Sequence, residues 1–265
     1  VFQLSLILLK IRQKKLVWTI HNLVNHEKCR VWLDRINSIL VGAQSNVVLV
    51  HGNSSIEVVR EYLFLSNKKI HVVHHGNYDG VISSRPFASR HKRGVQFLFF
   101  GIIRPYKGVL TLIDVFGRLN GPHCLHISGR PCSEELKKMI IEKSSLDNRI
   151  SLSLEFISEK ELEGFLGQCD VVVLPYKDVL TSGSLLMALT AGRPVIAPKS
   201  GLIPEYVSEE CAFLYDPADP DGLFVAISQA VECKHLENMA MCSLQQAQKY
   251  RWNDIGAEIA KIYKS

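Results

Sequence analysis

The sequence lacks an apolar run of the roughly 20 residues needed to cross a bilayer; its apolar opening, Val1 to Leu9, is less than half that length. No basic residue precedes that opening and no small-residue cleavage site follows it, which argues against a secretory signal. A buried or surface-lying helix is expected there. The chain starts at Val1 rather than Met and opens in mid-pattern, so missing N-terminal sequence is expected. Paired cysteine spacings are also lacking. Cys29, Cys124, Cys132, Cys169, Cys211, Cys233 and Cys242 are odd in number, scattered, and never arranged as C-x-x-C. That pattern suggests neither a disulfide framework nor a zinc site, and implies reduced thiols in a cytoplasmic protein. Aromatic residues are few, at 8%, and are not interleaved with the basic ones, so no nucleic-acid partner is expected.

What is present fits a folded chain of 265 residues, with 47% hydrophobic and 22% charged content. The net charge of +5 hides an asymmetry. Residues 1 to 93 carry 14 Lys or Arg against 5 Asp or Glu, a balance of +9, whereas the remainder carries 17 against 21, a balance of −4. One reading is a pair of solvated faces that differ in charge. The sharper one is a basic first part that makes peripheral contact with an anionic membrane, on its inner face, or with a phosphate-bearing acceptor.

Short runs rich in Val, Ile, Leu and Phe alternate with amphipathic stretches, the pattern of repeated β-α units around parallel sheets. Strands are expected at Lys15 to His21, Asn46 to His51 and Lys69 to His74. A second series follows at Val95 to Gly101, Cys124 to Ser128, Arg149 to Phe156, Asp170 to Pro175, Pro194 to Ala197 and Ala212 to Tyr215. Helices are expected between them, including Gly108 to Leu119, Ser133 to Lys143, Glu159 to Gln168 and Ser184 to Ala191, with helix alone after Pro220. The Gly-, Ser- and Pro-bearing stretch between the two series reads as a linker. The expected division is a first domain over 1–85, a linker over 86–93, a second domain over 94–250 and a terminal helix over 251–265.

In an open parallel sheet, ligands sit where strands end and helix N-termini offer free N–H groups. Two loops stand out on that ground. Gly101-Ile102-Ile103-Arg104-Pro105-Tyr106-Lys107-Gly108 joins a strand to a helix with two cations at the turn, chemistry suited to a diphosphate, although a plain surface turn would look the same. The second, Pro175 to Ser184, brings Asp178, Thr181, Ser182, Gly183 and Ser184 to the mouth of an apolar helix. Ser182 or Ser184 suits a helix N-cap there, and capping shares its geometry with phosphate binding.

The order Gly101 to Gly108, Asp170 to Pro175, SGSLLMALTAGRPVIAP and Gly201-Leu202-Ile203-Pro204-Glu205 resembles the C-terminal domain of the group 1 (family 4) glycosyltransferases. The segment Leu16 to Asn22 resembles the family strand ending in a cleft histidine, and Val72 to Asn77 the turn that closes the first domain. The resemblance implies an α/β, GT-B type fold of two facing doubly wound domains, with the first incomplete at its N-terminus. It implies retaining transfer of a sugar from a nucleotide-diphosphate sugar to a glycan or lipid-linked acceptor, in glycan or polysaccharide biosynthesis. The roles implied are His21 on the transferred sugar, Arg104 and Lys107 on the diphosphate, and Gly101 and Gly201 on the donor; either Asp178 offers the donor a carboxylate, or the donor is read through the backbone of Thr181, Ser182, Gly183 and Ser184. His75 and Glu205 are placed at the cleft.

The family's paired glutamates, with seven residues between them, are Val179 and Met187 here, and the usual arginine after the strand-end glycine is Ile102. These departures keep two rivals open, a catalytically silent sugar-nucleotide-binding scaffold subunit and a sugar-nucleotide epimerase or hydrolase of the same fold. No cofactor and no metal are expected. Asp216, Asp219 and Asp221 read as helix-start residues, and strand alternation would send His74 and His75 to opposite faces, away from a shared metal with His71.

Overall fold

The computed structural model describes residues 11–22, 31–83 and 94–264. The expected helix over Val1 to Leu9 and the linker over 86–93 lie outside those residues. The described chain forms two units, residues 1–75 with 252–265, and residues 76–251. The stretch after His75 belongs to the second unit, where the Asn77 N–H donates to the Tyr250 carbonyl at 2.7 Å and the Tyr78 N–H to Thr190 Oγ1 at 3.2 Å. The two units part after His75.

The first unit holds a three-stranded parallel sheet, β1 (Val17–Thr19), β2 (Val47–Val50) and β3 (Ile70–Val72), in that order. Registers pair Val17 with Val47 and Val48 with Ile70. The β-branched run of β2 is buried on both faces, as suits the central strand of a parallel sheet. Helices Val31–Gln44 and Ser54–Leu63 connect the strands, and Val48, Val50, Val59 and Leu63 form the core with Ile20 and Ile70. Helix Trp252–Lys264 also belongs to this unit. Lys15 Nζ donates to the Ile262 carbonyl at 2.9 Å, near that helix's C-terminus, where a cation meets unsatisfied carbonyls.

The second unit is built on a six-stranded, wholly parallel sheet. Its strands are β4 (Gln96–Phe100), β5 (Cys124–Ser128), β6 (Ile150–Ser153), β7 (Val171–Val173), β8 (Val195–Pro198) and β9 (Ala212–Tyr215). Their order is β6-β5-β4-β7-β8-β9, so the chain winds one way from β4 and the other way from β7. The junction of β4 with β7 is a topological switch point. It is sealed by Asp170, whose Oδ2 accepts from the Gln96 N–H at 2.8 Å. Phe97, Phe99, Val171, Val172 and Ile196 fill the interior. All nine expected strands form, several shorter than their apolar runs suggest.

Candidate functional site

The loops after β4 and β7 leave adjacent strand ends at the switch point, where an open parallel sheet offers its ligand crevice. They are tied together through the backbone. The Lys177 N–H donates to the Tyr106 carbonyl at 2.8 Å. Gly108, at φ +70°, lets the Pro175 carbonyl come so near that a Cβ there would lie 1.9 Å from its oxygen. Any side chain at 108 would push the loops apart.

Within this frame Lys107 and Ser184, from different loops, meet over Gly101. A Cβ at Gly101 would lie 3.3 Å from both Lys107 Nζ and Ser184 Oγ. Lys107 Nζ also stands 5.5 Å from the ring centroid of Tyr176, a cation–π approach. Burial, with Arg104 as a second and smaller cause, pulls the Lys107 ammonium down to about 8. A cation held out of water in this way favours the arrival of an anion.

Ser182 is the N-cap of helix Gly183–Thr190, its Oγ accepting from the Leu185 N–H at 3.2 Å. The same Oγ lies 3.2 Å from the hydroxyl of the buried Tyr176. Burial raises the pKa of that phenol, so it stays protonated. Beneath the helix mouth, a Cβ on Gly183 would come within 2.8 Å of the Tyr78 hydroxyl. A side chain at 183 would therefore have to displace the Tyr78 hydroxyl. Sequence reasoning missed Tyr176 and Tyr78; Tyr176 sat inside the quoted loop, but Tyr78 lies more than a hundred residues from Gly183 with no spacing to link them.

The other expected residues of this unit take separate places. Arg104 lines a groove of about 320 Å³ with Thr111, Ser133, Glu135 and Lys177, and Lys107 does not face that groove. Asp178 is exposed and Thr181 half-buried. Gly201, at φ +56°, sits where a Cβ would lie 2.0 Å from the Val179 carbonyl, so it holds the loop from behind. The Glu205 carbonyl accepts from the Tyr250 hydroxyl at 3.2 Å. Val179 is buried and Met187 half-buried. Asp216 and Asp219 accept from the backbone N–H groups of Ala218 and Asp221, and Asp221 pairs with Arg118. They are turn and surface residues.

In the first unit, His21 and His75 meet around a third histidine that the sequence reading missed. His51 follows β2 directly, is buried, and places Nε2 3.0 Å from His21 Nδ1. Its ring also faces His75 edge-on at 5.7 Å, and His75 packs near Trp252 at 5.9 Å. The alternation argument for His74 and His75 does not apply, because β3 ends at Val72. Burial lowers the pKa values of both His21 and His51. Among the described residues no group of three or more His, Cys, Asp or Glu is placed to hold a metal ion, and no helix is long and apolar enough to cross a membrane.

Residues 94–233, just over half of the chain, match the family model described as glycosyl transferases group 1. A GDP-mannose:glycolipid 4-beta-D-mannosyltransferase from Xanthomonas campestris pv. campestris is 40% identical over 125 residues, which cover 46% of this chain and 36% of that enzyme. An MMP alpha-(1->4)-mannosyltransferase from Mycolicibacterium hassiacum is 25% identical over 167 residues, covering 60% of this chain and 40% of its own length. The chain thus spans well under half the length of these relatives. Among solved structures, Anabaena Alr3699/HepE in complex with UDP and glucose superposes with a TM-score of 0.83 at 17% identity, over 98% of this chain and 74% of that one. The fold is of the GT-B type, and the chain belongs to the group 1 glycosyl transferases.

Proposed function

We propose that this chain carries the donor site of a hexosyltransferase that moves a sugar from a nucleotide-diphosphate sugar to a glycolipid or carbohydrate acceptor. The observation that carries this reading is the desolvated Lys107 ammonium, set against Gly101 and Ser184 at the switch point of the second sheet. A diphosphate there replaces the water that Lys107 has lost, with N–H groups at the mouth of helix Gly183–Thr190 as further donors. Lys107 stabilises the charge that grows on the leaving phosphate, and Arg104, near enough for its field to reach the Lys107 ammonium, adds to that field. That phosphate helps take the acceptor proton, and His21 is the residue that resemblance assigns to the transferred sugar. The names of the relatives, which include a GDP-mannose-dependent enzyme acting on a glycolipid, support both donor and acceptor classes.

Retention of the donor's anomeric configuration is the outcome implied by resemblance, and the two named relatives differ in the anomer their names print. The test is to incubate the protein with GDP-mannose or UDP-glucose and a glycolipid acceptor, then read the product's anomeric carbon by NMR. An α-linked product supports the reading. A β-linked product overturns retention and moves proton removal to a side chain. The buried Val179 and the half-buried Met187 at the family's glutamate positions favour a second reading, a sugar-nucleotide-binding subunit without turnover. Nucleotide binding with neither transfer nor slow hydrolysis would select it, and an altered sugar still on its nucleotide would select an epimerase.

A further inference from the structure

Tyr176 is only 3% exposed, although its phenol carries a polar group. A buried phenol needs partners for its hydroxyl, and this one has two serines. Its Oη lies 3.2 Å from Ser182 Oγ and also reaches the Ser184 hydroxyl. With one hydrogen to give and lone pairs to accept with, it serves both at once. Its backbone is pinned on either side. The Pro175 carbonyl abuts Gly108, the Tyr176 N–H donates to the Leu174 carbonyl at 2.9 Å, and the Lys177 N–H donates to the Tyr106 carbonyl at 2.8 Å. The ring is therefore a fixed plate, whereas Lys107 is a flexible stem that costs entropy to hold still.

We infer that Tyr176 is the positioning residue of this crevice: its ring face holds the Lys107 ammonium against Gly101, and its hydroxyl holds Ser182 and Ser184 at the helix mouth, so that cation and hydroxyls are presented to one anion together. The part played toward a nucleotide rests on the donor-site reading under Proposed function; the hold on Lys107 does not. Burial and Arg104 both oppose the ammonium's charge. The negative face of an aromatic ring favours that charge, so Tyr176 works against both and helps a desolvated lysine stay charged at neutral pH. An aliphatic side chain would fill the space without supplying that field. The titratable groups acting here are Arg104 and Tyr176 on Lys107, with the field of Tyr106 reaching Tyr176.

The first test needs no ligand. In the full chain with lysine labelled by carbon-13, the Lys107 ε-methylene should resonate upfield of exposed lysines, moved by the ring current, and its titration should centre at about 8. Tyr176→trifluorophenylalanine keeps nearly the shape of Tyr176→Phe but strips the negative charge from the ring face. The Lys107 midpoint should then fall by about half a pH unit relative to Tyr176→Phe. A side chain that merely fills space would leave that midpoint unmoved, and an equal midpoint for the plain and fluorinated rings overturns the inference. A Lys107 signal without ring-current shift in the unsubstituted protein also overturns it, whether or not the variants fold.

The second test reads the anion, with GDP as the probe. By calorimetry at pH 7, Kd should rise about fivefold in Tyr176→Phe, which releases the two serines, and by more than about tenfold in Tyr176→Leu, which releases Lys107 as well. Tyr176→Phe should keep the unsubstituted protein's weakening of GDP binding between pH 7 and pH 9, because the ring face remains. Unaltered GDP affinity in Tyr176→Phe overturns the part assigned to the hydroxyl, and with it the inference. If GDP fails to bind the unsubstituted protein while the Lys107 signal is shifted upfield and its midpoint responds to fluorine, the donor-site reading falls and the hold of Tyr176 on Lys107 stands.

Discussion

A nucleoside diphosphate should bind this chain about tenfold more weakly at pH 9 than at pH 7, a difference of about 1.4 kcal/mol, and Lys107 should be the reason. With its ammonium at about 8 in the free protein, Lys107 is roughly nine-tenths charged at pH 7 and one-tenth charged at pH 9. The phosphates do not titrate in that window, since a terminal phosphate has a second pKa near 6. If only the charged lysine binds, affinity follows its charged fraction. Binding then raises the lysine pKa back toward its ordinary 10.5, so GDP binding at pH 8 should take up about half a proton per site.

Calorimetry at pH 8 in two buffers of different ionisation enthalpy reads that uptake directly, and Kd at pH 7, 8 and 9 reads the slope. Lys107→Arg is the control, because a guanidinium stays charged throughout. An unchanged Kd from pH 7 to 9, or an equal slope in Lys107→Arg, would refute the argument. In the ligand-free protein the depressed pKa means that the unfolded chain holds this proton more tightly. The contribution of Lys107 to stability therefore rises as pH increases from about 8 toward 10.5.

Gly108→Ala should cost about 2 kcal/mol or more, from the positive φ and the Pro175 carbonyl together, and should lower the melting temperature and weaken GDP binding at once. A variant with unaltered melting and affinity would show that the two loops move apart freely. Gly183→Ala should lower the melting temperature by crowding the Tyr78 hydroxyl, and Tyr78→Phe should remove most of that loss; additive effects in the double-mutant cycle would rule out the contact. For the basic first unit, Arg12→Gln with Lys14→Gln should weaken sedimentation with acidic-lipid vesicles by about 1 kcal/mol per charge at low salt. Equal binding to neutral and acidic vesicles would reduce that face to a solvated surface. Lys15 is left out because its ammonium holds the Ile262 carbonyl, and Lys15→Gln should instead loosen helix Trp252–Lys264 as read by hydrogen exchange.

The strands were legible because runs such as Val47–Val50 and Val171–Val173 are buried on both faces and have no polar position to hide. Strand ends in turn located both phosphate-suited loops. Their adjacency was not legible from composition, since it depends on β4 pairing with β7 rather than with β6. The histidine set was only half visible. His21 and His75 stood out through resemblance, but His51 looks like an ordinary strand-end residue until Val73 and His21 are seen on either side of its ring. The contact between Gly183 and Tyr78 was not legible either, because 105 residues separate the two in sequence. Nothing local marks Lys15 as a helix-end donor, because a carbonyl 247 residues away leaves no trace in local pattern.

The switch point also bears on how the protein is made. Gln96 and Asp170, which join β4 to β7, are 74 residues apart in sequence. Closing such a span costs about 4 kcal/mol in chain entropy before the pairing returns anything. The strands between them, β5 and β6, can assemble on β4 by shorter connections. A refolding chain will hence show parallel sheet before it can bind nucleotide. During that interval the bare side of β4 offers an open, apolar strand edge, the kind of surface on which chains aggregate. The same junction that creates the crevice makes it the last part of the second unit to mature, and recovery of GDP binding should trail recovery of secondary structure.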